Sequence, residues 1–321
     1  QNESAQDRWN DLVIPESHRS LLTSLIENHL LSRKTEGLAY SKAPKGICAQ
    51  IDIVRGKGRG MIILLHGPPG SGKTSTAETL AAFTRRPLYS LTCGDLGTGA
   101  DQLERELERH TSRAHQWDCV LPLDEADVFL SRRNWKDTRR NALVSVFLRQ
   151  LVYYSGILIL TTNRVGVVDE AFKSRIHVSL SYPPIGLAET RQIWDNILNR
   201  IKRDNKTGHD IPIRFDRSRL LAYAEKHYRR NEPTESAWNG RQIRNAFQLA
   251  IALGQHEREE TLKEMRPSGD ADGPGKKLLP IKLTTANFKS IAATARAFED
   301  YLAEVRGKDS KIAREESIRD D

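Results

Sequence analysis

The sequence contains few cysteines and no long hydrophobic run. Its 321 residues include three cysteines, Cys48, Cys93 and Cys119, whose scattered spacing fits neither a metal site nor a disulfide framework. No apolar run approaches the ~20 residues that a membrane-spanning helix requires, and the polar residues 1–10 lack the apolar core of a signal peptide. These absences argue against a disulfide-stabilised secreted protein and against an integral membrane protein. They favour an intracellular protein, cytoplasmic or nuclear.

Neither sign of charge dominates the chain. The 50 basic and 42 acidic residues give a net charge of +8 and are interleaved along most of the sequence. Such a pattern is typical of an ordinary solvated surface; it permits contact with nucleic acid or acidic partners without requiring either. The composition, with 38% hydrophobic and 29% charged residues, is that of a globular protein.

Five short apolar runs predict buried strands, and longer amphipathic stretches lie between most of them. The strands are expected at residues 61–65, 88–91, 120–123, 157–160 and 178–182, and the helices at 74–85, 101–115 and 141–154. Strands that alternate with helices predict an α/β fold whose parallel sheet is covered on both faces.

The pattern changes to helical spacing alone in the second half of the chain. Helices are expected at residues 187–201, 217–229, 241–253 and 285–304. We therefore predict an α/β domain over residues 1–184, of which 1–60 form a lead-in, and a smaller helical domain over residues 185–306. The polar residues 307–321 are expected to form a disordered tail.

A glycine-rich loop follows the first predicted strand. Residues 67–74 read G-P-P-G-S-G-K-T and match the phosphate-binding pattern G-x-x-x-x-G-K-[ST], with a strand before and a helix after. The glycines let successive backbone N–H groups face phosphate oxygens, and the helix N-terminus adds partial positive charge. Lys73 is expected to reach the β- and γ-phosphates. The expected nucleotide contacts are Pro68, Pro69, Gly70, Ser71, Gly72, Lys73, Thr74 and Ser75.

Two acidic residues end the third predicted strand. Ligands of open α/β sheets lie at the carboxyl ends of the strands, so Asp124 is placed beside the phosphates. Asp124 and the Thr74 hydroxyl are the expected Mg²⁺ site, and Glu125 is the expected base that activates the attacking water.

A proline lies within this same strand. Pro122 lacks an N–H group for the sheet ladder, and prolines are usually confined to edges or bulges. Either the strand bulges at Pro122 or the two acids are shifted in register, and either change would slow hydrolysis more than it weakens nucleotide binding.

Further polar residues follow the fourth strand. The Asn163 amide could hydrogen-bond the γ-phosphate and the attacking water, although asparagine is also common at strand ends. Arg175 could neutralise transition-state charge in a neighbouring subunit, but residue types alone do not distinguish this from an ordinary surface arginine. Arg241 and Arg244 open a helix of the second domain, where either could reach a phosphate.

These motifs, in this order, resemble the AAA+ ATPase family. Residues 67–74 are similar to its Walker A motif, 121–125 to Walker B, Asn163 to sensor 1, and Arg175 in Ser-Arg-Ile to the arginine finger. Arg241 resembles sensor 2, with Arg244 as the second candidate. The resemblance covers residues 9–253. It is closest to filamentous-fungal AAA ATPases, on the evidence of residues 94–97, 123–130 and 172–177. Those proteins carry a further region upstream of this module. Asp11, Leu12 and Val13 are similar to the segment that packs on adenine.

The resemblance implies an ATP- and Mg²⁺-dependent ATPase with a five-stranded parallel sheet, a helical lid and a homo-oligomeric, usually hexameric, ring. It favours a motor that remodels a protein substrate. Two alternatives stay open: a clamp-loader-like ATPase that acts with nucleic acid, suggested by Ser-Arg-Ile and the net charge, and a nucleotide-dependent scaffold with weak hydrolysis, suggested by Pro122. Residues 93–101 lack the aromatic-apolar-glycine motif with which relatives grip a threaded polypeptide.

Overall fold

The chain folds into two compact units. A computed structural model describes residues 5–36, 60–132, 137–164, 168–207, 211–234, 236–264 and 279–315. The first unit is Gln1–Ile185 and the second is Gly186–Asp321. Each unit has its own hydrophobic core. None of the helices in the described ranges combines the length and hydropathy needed to cross a bilayer.

The first unit is built on a five-stranded parallel sheet. Its strands are β1 Met61–His66, β2 Leu91–Thr92, β3 Val120–Asp124, β4 Ile157–Thr162 and β5 Val178–Ser181, in the order β2-β3-β4-β1-β5. All pairs are parallel. The central strands β1 and β4 are almost wholly buried because they consist mainly of isoleucine and leucine, which can face a helix layer on either side. The carboxyl ends of β1, β3 and β4 therefore meet at one edge.

Helices cover both faces of this sheet. They are α1 Ala5–Asp11, α2 Glu16–Glu36, α3 Lys73–Phe83, α4 Ala100–Gln116, α5 Asp127–Leu130, α6 Thr138–Tyr153 and α7 Glu170–Lys173. Alternate residues of β1 enter two different clusters: Ile63 packs with the α1–α3 side, and Ile62 packs with the α4–α6 side. This alternation confirms the α/β architecture expected from the sequence.

The strand β2 is shorter than the predicted strand at residues 88–91. It covers Leu91 and Thr92, and Leu88 forms an isolated bridge with Val120. Val120 donates to the Pro87 carbonyl and accepts from the Tyr89 N–H, so its peptide faces β2. Hydrogen bonds along a parallel strand alternate between its two neighbours, so the nitrogen of Pro122 also faces β2. The N–H group that Pro122 lacks would therefore have faced β2, the short edge strand, where the ladder of hydrogen bonds is already interrupted.

The other side of β3 is regular. Residues Val120 to Leu123 pair one-to-one with Ile157 to Leu160 of β4, without a bulge. The bulge and the register shift suggested by Pro122 are therefore both absent from the pairing with β4, and the expectation that they displace the acids is wrong.

The second unit is mainly helical and contains a small sheet that the sequence pattern did not reveal. Its helices are α8 Leu187–Thr207, α9 Arg217–Asn231, α10 Gly240–Glu264 and α11 Thr285–Glu315, and β6 Ile213–Phe215 pairs in parallel with β7 Ile281–Leu283. The three-residue strands are too short to show a period of two. Trp194, Phe247 and Phe288 form the aromatic centre of this core.

Helix α11 continues beyond the predicted end at residue 304. It runs to Glu315, so the predicted polar tail at 307–321 is helical in its first part; residues 316–321 lie outside the described ranges. Residues 304–315 are rich in the helix-forming glutamate, lysine, arginine and alanine, and the single Gly307 costs only ~1 kcal/mol relative to alanine.

Candidate nucleotide site

The loop between β1 and α3 requires glycine at both of its ends. At Gly67 (φ 149°) a Cβ atom would lie 2.1 Å from the Tyr182 carbonyl oxygen, so no other residue fits without moving β5. Gly72 has φ 104° and caps the N-terminus of α3. This backbone leaves the first N–H groups of α3 at the loop, where helix N-termini attract anions. The cradle thus fits the phosphates of a nucleotide.

Lys73 is the first residue of α3 and is buried, with 7% of its surface exposed. Its Nζ donates hydrogen bonds to the carbonyl oxygens of Gly67 and Pro68, each at 2.8 Å. The loop itself therefore positions the ammonium group at the cradle, where it can neutralise phosphate charge.

Asp124 lies beside the loop, joined to it by hydroxyl groups. The Thr74 hydroxyl lies 3.3 Å from Asp124 Oδ1, and the Thr161 hydroxyl donates to the same oxygen at 2.8 Å. Thr74 belongs to α3, Asp124 ends β3 and Thr161 belongs to β4, so three elements converge here. Hydroxyl and carboxylate oxygens are ligands that suit Mg²⁺. The donor set therefore fits this ion at Thr74 and Asp124.

Glu125 has an unusual backbone conformation. Its φ is 55°, in the left-handed region that costs a residue with a long side chain about 1–2 kcal/mol. Its N–H donates to Thr161 Oγ1 at 3.2 Å, and its carbonyl accepts from the Cys93 thiol at 3.0 Å. The carboxylate side chain is exposed, next to the half-buried Asp124. These two hydrogen bonds hold a strained residue at the edge of the cradle.

Thr161 and Cys93 were missed by the sequence reasoning. Thr161 carried a signal, because a polar residue one position beyond the apolar run of β4 must lie at the ligand edge. Cys93 carried none. Burial, followed by the charges of Asp127 and Glu125, raises the pKa of the Cys93 thiol to about 11. The group therefore stays protonated at neutral pH and can donate its hydrogen bond.

Asn163 and Arg175 lie beyond the strand ends. Asn163 is exposed one residue after β4, at the edge that also carries Asp124. Arg175 follows α7 and is half-buried; its Nη1 donates to the Ala171 carbonyl at 2.6 Å. The guanidinium thus lies against its own short helix within one chain.

A histidine precedes the cradle and was also missed. Burial, followed by the charges of Lys73 and His18, lowers the pKa of His66, the last residue of β1. The lowered pKa favours the neutral imidazole, so His66 competes less with Lys73 for negative charge at this end of the loop.

The N-terminal segment lies against the cradle helix. Trp9 is buried and stacks on Phe83 of α3 with ring centroids 5.3 Å apart. Arg19 donates hydrogen bonds to the carbonyls of Trp9 and Leu12, the latter at 2.5 Å. These contacts place Asp11, Leu12 and Val13, which resemble the adenine-packing segment, on the α3 side of the sheet.

The two lid arginines lie at the start of α10. Gln242 N–H donates to the Asn239 side chain at 3.0 Å, and the Gln242 side chain accepts from Asn239 N–H at 2.9 Å. This reciprocal cap fixes the first turn of the helix. Arg241 and Arg244 are exposed on that turn and the next.

The fold and this site define a P-loop nucleotide-binding protein of the α/β class with a helical lid. Residues 63–184 match the family model described as ATPase family associated with various cellular activities (AAA). Residues 186–309 match the model of the fungal AAA+ ATPase lid domain. Together the two models cover most of the chain, which belongs to the AAA ATPase family, and its site is one for ATP and Mg²⁺.

Curated relatives match just under half of the chain. The chain is 32% identical over 171 residues, 47% of its length, to the ATP-dependent zinc metalloprotease FtsH of Parabacteroides distasonis, of which the match covers 24%. It is 30% identical over 168 residues, also 47% of its length, to the Cell division control protein 48 homolog B of Arabidopsis thaliana, with 27% of that protein covered. A putative 26S proteasome regulatory subunit homolog of Methanothermobacter marburgensis is 28% identical over 153 residues, 44% of this chain and 40% of that protein. The chain therefore spans well under half the length of these relatives.

Proposed function

We propose that this protein is a ring-forming motor that uses ATP hydrolysis to remodel a protein substrate. The observation that supports this most directly is the hydrogen-bonded chain at the end of β4: Thr161 contacts Asp124 and Glu125, and Asp124 contacts Thr74 of the cradle helix. That arrangement joins the cradle, the metal carboxylate and a base in one hydrogen-bonded unit. ATP hydrolysis occurs at this unit, and the helical lid responds to it.

In this mechanism the cradle binds the triphosphate of ATP. Backbone N–H groups of the loop and the Lys73 ammonium neutralise its oxygens. Thr74 and Asp124 would hold Mg²⁺, which would supply charge neutralisation at the phosphates. Asp11, Leu12 and Val13 contact the adenine. Arg241, or Arg244, approaches the γ-phosphate from the lid.

Glu125 acts as the base in this mechanism. Its carboxylate accepts a proton from the water that attacks the γ-phosphorus, and Asn163 orients that water with its amide. Glu125 has a left-handed backbone, unlike the strand residue Asp124, and the two adjacent acids serve different tasks. Holding a strained residue in place is characteristic of catalytic positions.

Arg175 completes the site of a neighbouring subunit in a homo-oligomeric, hexameric ring. Arg175 Nη1 donates to the Ala171 carbonyl, and the other guanidinium N–H groups can serve the neighbouring site. Head-to-tail contacts that close generate such rings.

Mixing Arg175→Ala chains with Glu125→Gln chains tests the shared site, because some interfaces then pair an intact Glu125 with an intact Arg175. Partial activity in the mixture, with both variants inactive alone, is expected. Wild-type turnover by Arg175→Ala alone would contradict the shared site.

The names of two relatives support a protein substrate. One is an ATP-dependent metalloprotease and another a putative proteasome regulatory subunit homolog, and both names concern protein breakdown. Retention of an unfolded-protein probe by Glu125→Gln chains with ATP tests the substrate class. Salt-dependent retention of DNA instead would indicate the clamp-loader alternative.

The free thiols Cys93 and Cys119 fit a reducing compartment, cytoplasmic or nuclear.

A further inference from the structure

A groove in the second unit lies between α9 and α11. It encloses about 650 Å³, a volume typical of ligand sites. Its aromatic floor is formed by Tyr223, His227 and Trp238, and the rings of His227 and Trp238 lie 4.1 Å apart between centroids at an angle of 39°. The α11 wall consists largely of alanines, which allow close approach of a partner backbone. The groove is therefore an apolar cleft bounded by two helices.

Four cations surround this cleft: Lys226 and Arg230 on α9, and Lys289 and Arg296 on α11. Among the residues that the structure describes, no carboxylate lies within ion-pair distance of any of the four. Arg296 is oriented by a 2.7 Å hydrogen bond to the side chain of Asn231, which is 5% exposed. Glu299 and Asp300, at one end of the groove, are its only acidic lining residues within the described part of the chain. The cleft thus suits an acidic, amphipathic occupant.

The continuation of α11 has the complementary character. Residues 298–305 read F-E-D-Y-L-A-E-V, with three acidic side chains and no cation. Phe298 and Tyr301 are 60% and 61% exposed. They are three residues apart on the helix and therefore lie on the same face. The second unit therefore contains two complementary features. One is an exposed acidic helical segment with an aromatic face, and the other is a groove surrounded by cations.

We propose that residues 298–305 of a second copy occupy this groove. The aromatic face would cover the floor, and Glu299 and Asp300 would face the four cations, as in other helix-in-groove contacts. Because α11 supplies both the groove wall and the inserted segment, two copies can exchange segments about a two-fold axis. This contact is additional to the head-to-tail ring of the proposed function and independent of it.

Sedimentation equilibrium of the full chain without nucleotide tests this contact. The wild type is expected to self-associate with rising concentration. Replacing both aromatics, Phe298→Ser with Tyr301→Ser, is expected to weaken the association at least ~10-fold, because central aromatic anchors dominate such interfaces. Leu249→Ser is the matched control, since Leu249 is 54% exposed on α10 and outside the groove; it should leave association unchanged.

A charge exchange makes the test specific. One chain carries Arg230→Glu with Arg296→Glu, and the other carries Glu299→Arg with Asp300→Arg. Each alone should fail to associate, and their mixture should form a mixed pair, because complementary charges then meet in both grooves. A wild type that stays monomeric on the order of 100 µM, or a mixture no stronger than either variant, would overturn the proposal.

Two further measurements guard against misfolding and against confusion with the ring. A synthetic peptide of residues 285–315, added in excess to the wild-type chain, should dissociate the pair without any substitution; no effect would count against the proposal. Arg175→Ala should leave this association intact while it abolishes hydrolysis. Loss of both together would show that the association belongs to the ring and not to the groove.

Discussion

Thr161 connects three consecutive residues of the nucleotide site. Its hydroxyl donates to Asp124 and accepts from the Glu125 N–H, and its carbonyl accepts from the Ala126 N–H at 2.9 Å. One hydroxyl therefore orients the metal carboxylate and also helps to hold Glu125 in its left-handed conformation. This makes Thr161 a positioning residue for the proposed chemistry.

The substitution Thr161→Val keeps the shape of the side chain and removes both hydroxyl contacts. We expect kcat to fall about 10-fold or more, because each buried hydrogen bond to a charged group contributes about 1.5–3 kcal/mol to the catalytic geometry. ATP affinity should change little, since the cradle is untouched. Steady-state kinetics and calorimetry check both expectations.

The conservative and remote variants separate positioning from general damage. Thr161→Ser retains the hydroxyl and should keep most of the activity. Thr111→Val, on α4 away from the cradle, loses a hydroxyl contact to the Glu108 carbonyl and should leave kcat unchanged. A normal kcat in Thr161→Val would remove Thr161 from the account.

At the scale of elements, β3 tolerates Pro122 because its nitrogen faces the interrupted edge. The pairing of β3 with β4 is regular, so the proline displaces neither acid. A scaffold that hydrolyses weakly because of this proline is therefore not supported by the sheet.

Replacing Pro122 with valine tests this view. Valine restores an N–H toward the Tyr89 carbonyl, a gain of ~1 kcal/mol that the loss of proline's rigidity in the unfolded chain largely offsets. We expect kcat within about 2-fold of wild type and an unfolding midpoint close to it. A large rise in kcat, measured at saturating ATP, would show that Pro122 does restrain the acids.

Elements with many buried residues were predictable, and short ones were not. The runs of isoleucine and leucine located β1 and β4, and the loop pattern located α3. The position of β2 was predicted wrongly, because its extent depends on hydrogen bonds from β3. Pro122 of β3 has no N–H group to donate to it. The strands β6 and β7 were missed because three residues carry no detectable period. The predicted end of helix α11 came too early, because the polar composition that follows was interpreted as disorder.

The candidate site shows the same division. Lys73, Thr74 and Asp124 could be predicted to lie together, because a fixed motif and a strand end specify their neighbours. The contact of Cys93 with Glu125 joins residues 32 apart in sequence through tertiary packing alone. No local pattern could have revealed it.

At the scale of the whole molecule, stability should depend on the protonation of half-buried histidines. Burial is the largest cause of the lowered pKa values of His66 and His227, and that of His227 falls to about 4 beside Arg296 and Arg230. The unfolded chain binds protons below about pH 6.5, while the folded chain does not until lower pH. Stability is therefore fully present above pH 6.5 and is lost as pH falls toward 4.

Thermal unfolding between pH 7 and pH 5 checks this dependence. After allowance for the partial exposure of its ring, His227 should account for about 1 kcal/mol of the loss. His227→Gln should flatten the acid limb of the lid transition, whereas His256→Gln, at an exposed position of α10, should not. An identical limb in both variants would contradict the assignment.

The substitution Glu125→Gln tests the central claim, ATP hydrolysis at this cradle, most directly. The amide keeps the size of the side chain but cannot accept the proton of the attacking water. The account predicts that ATP and Mg²⁺ bind with wild-type affinity and that turnover falls by roughly 10²–10⁴-fold. Parallel calorimetry and phosphate-release assays on the same preparation measure both quantities. Near-normal turnover in Glu125→Gln, with nucleotide affinity intact, would contradict the account.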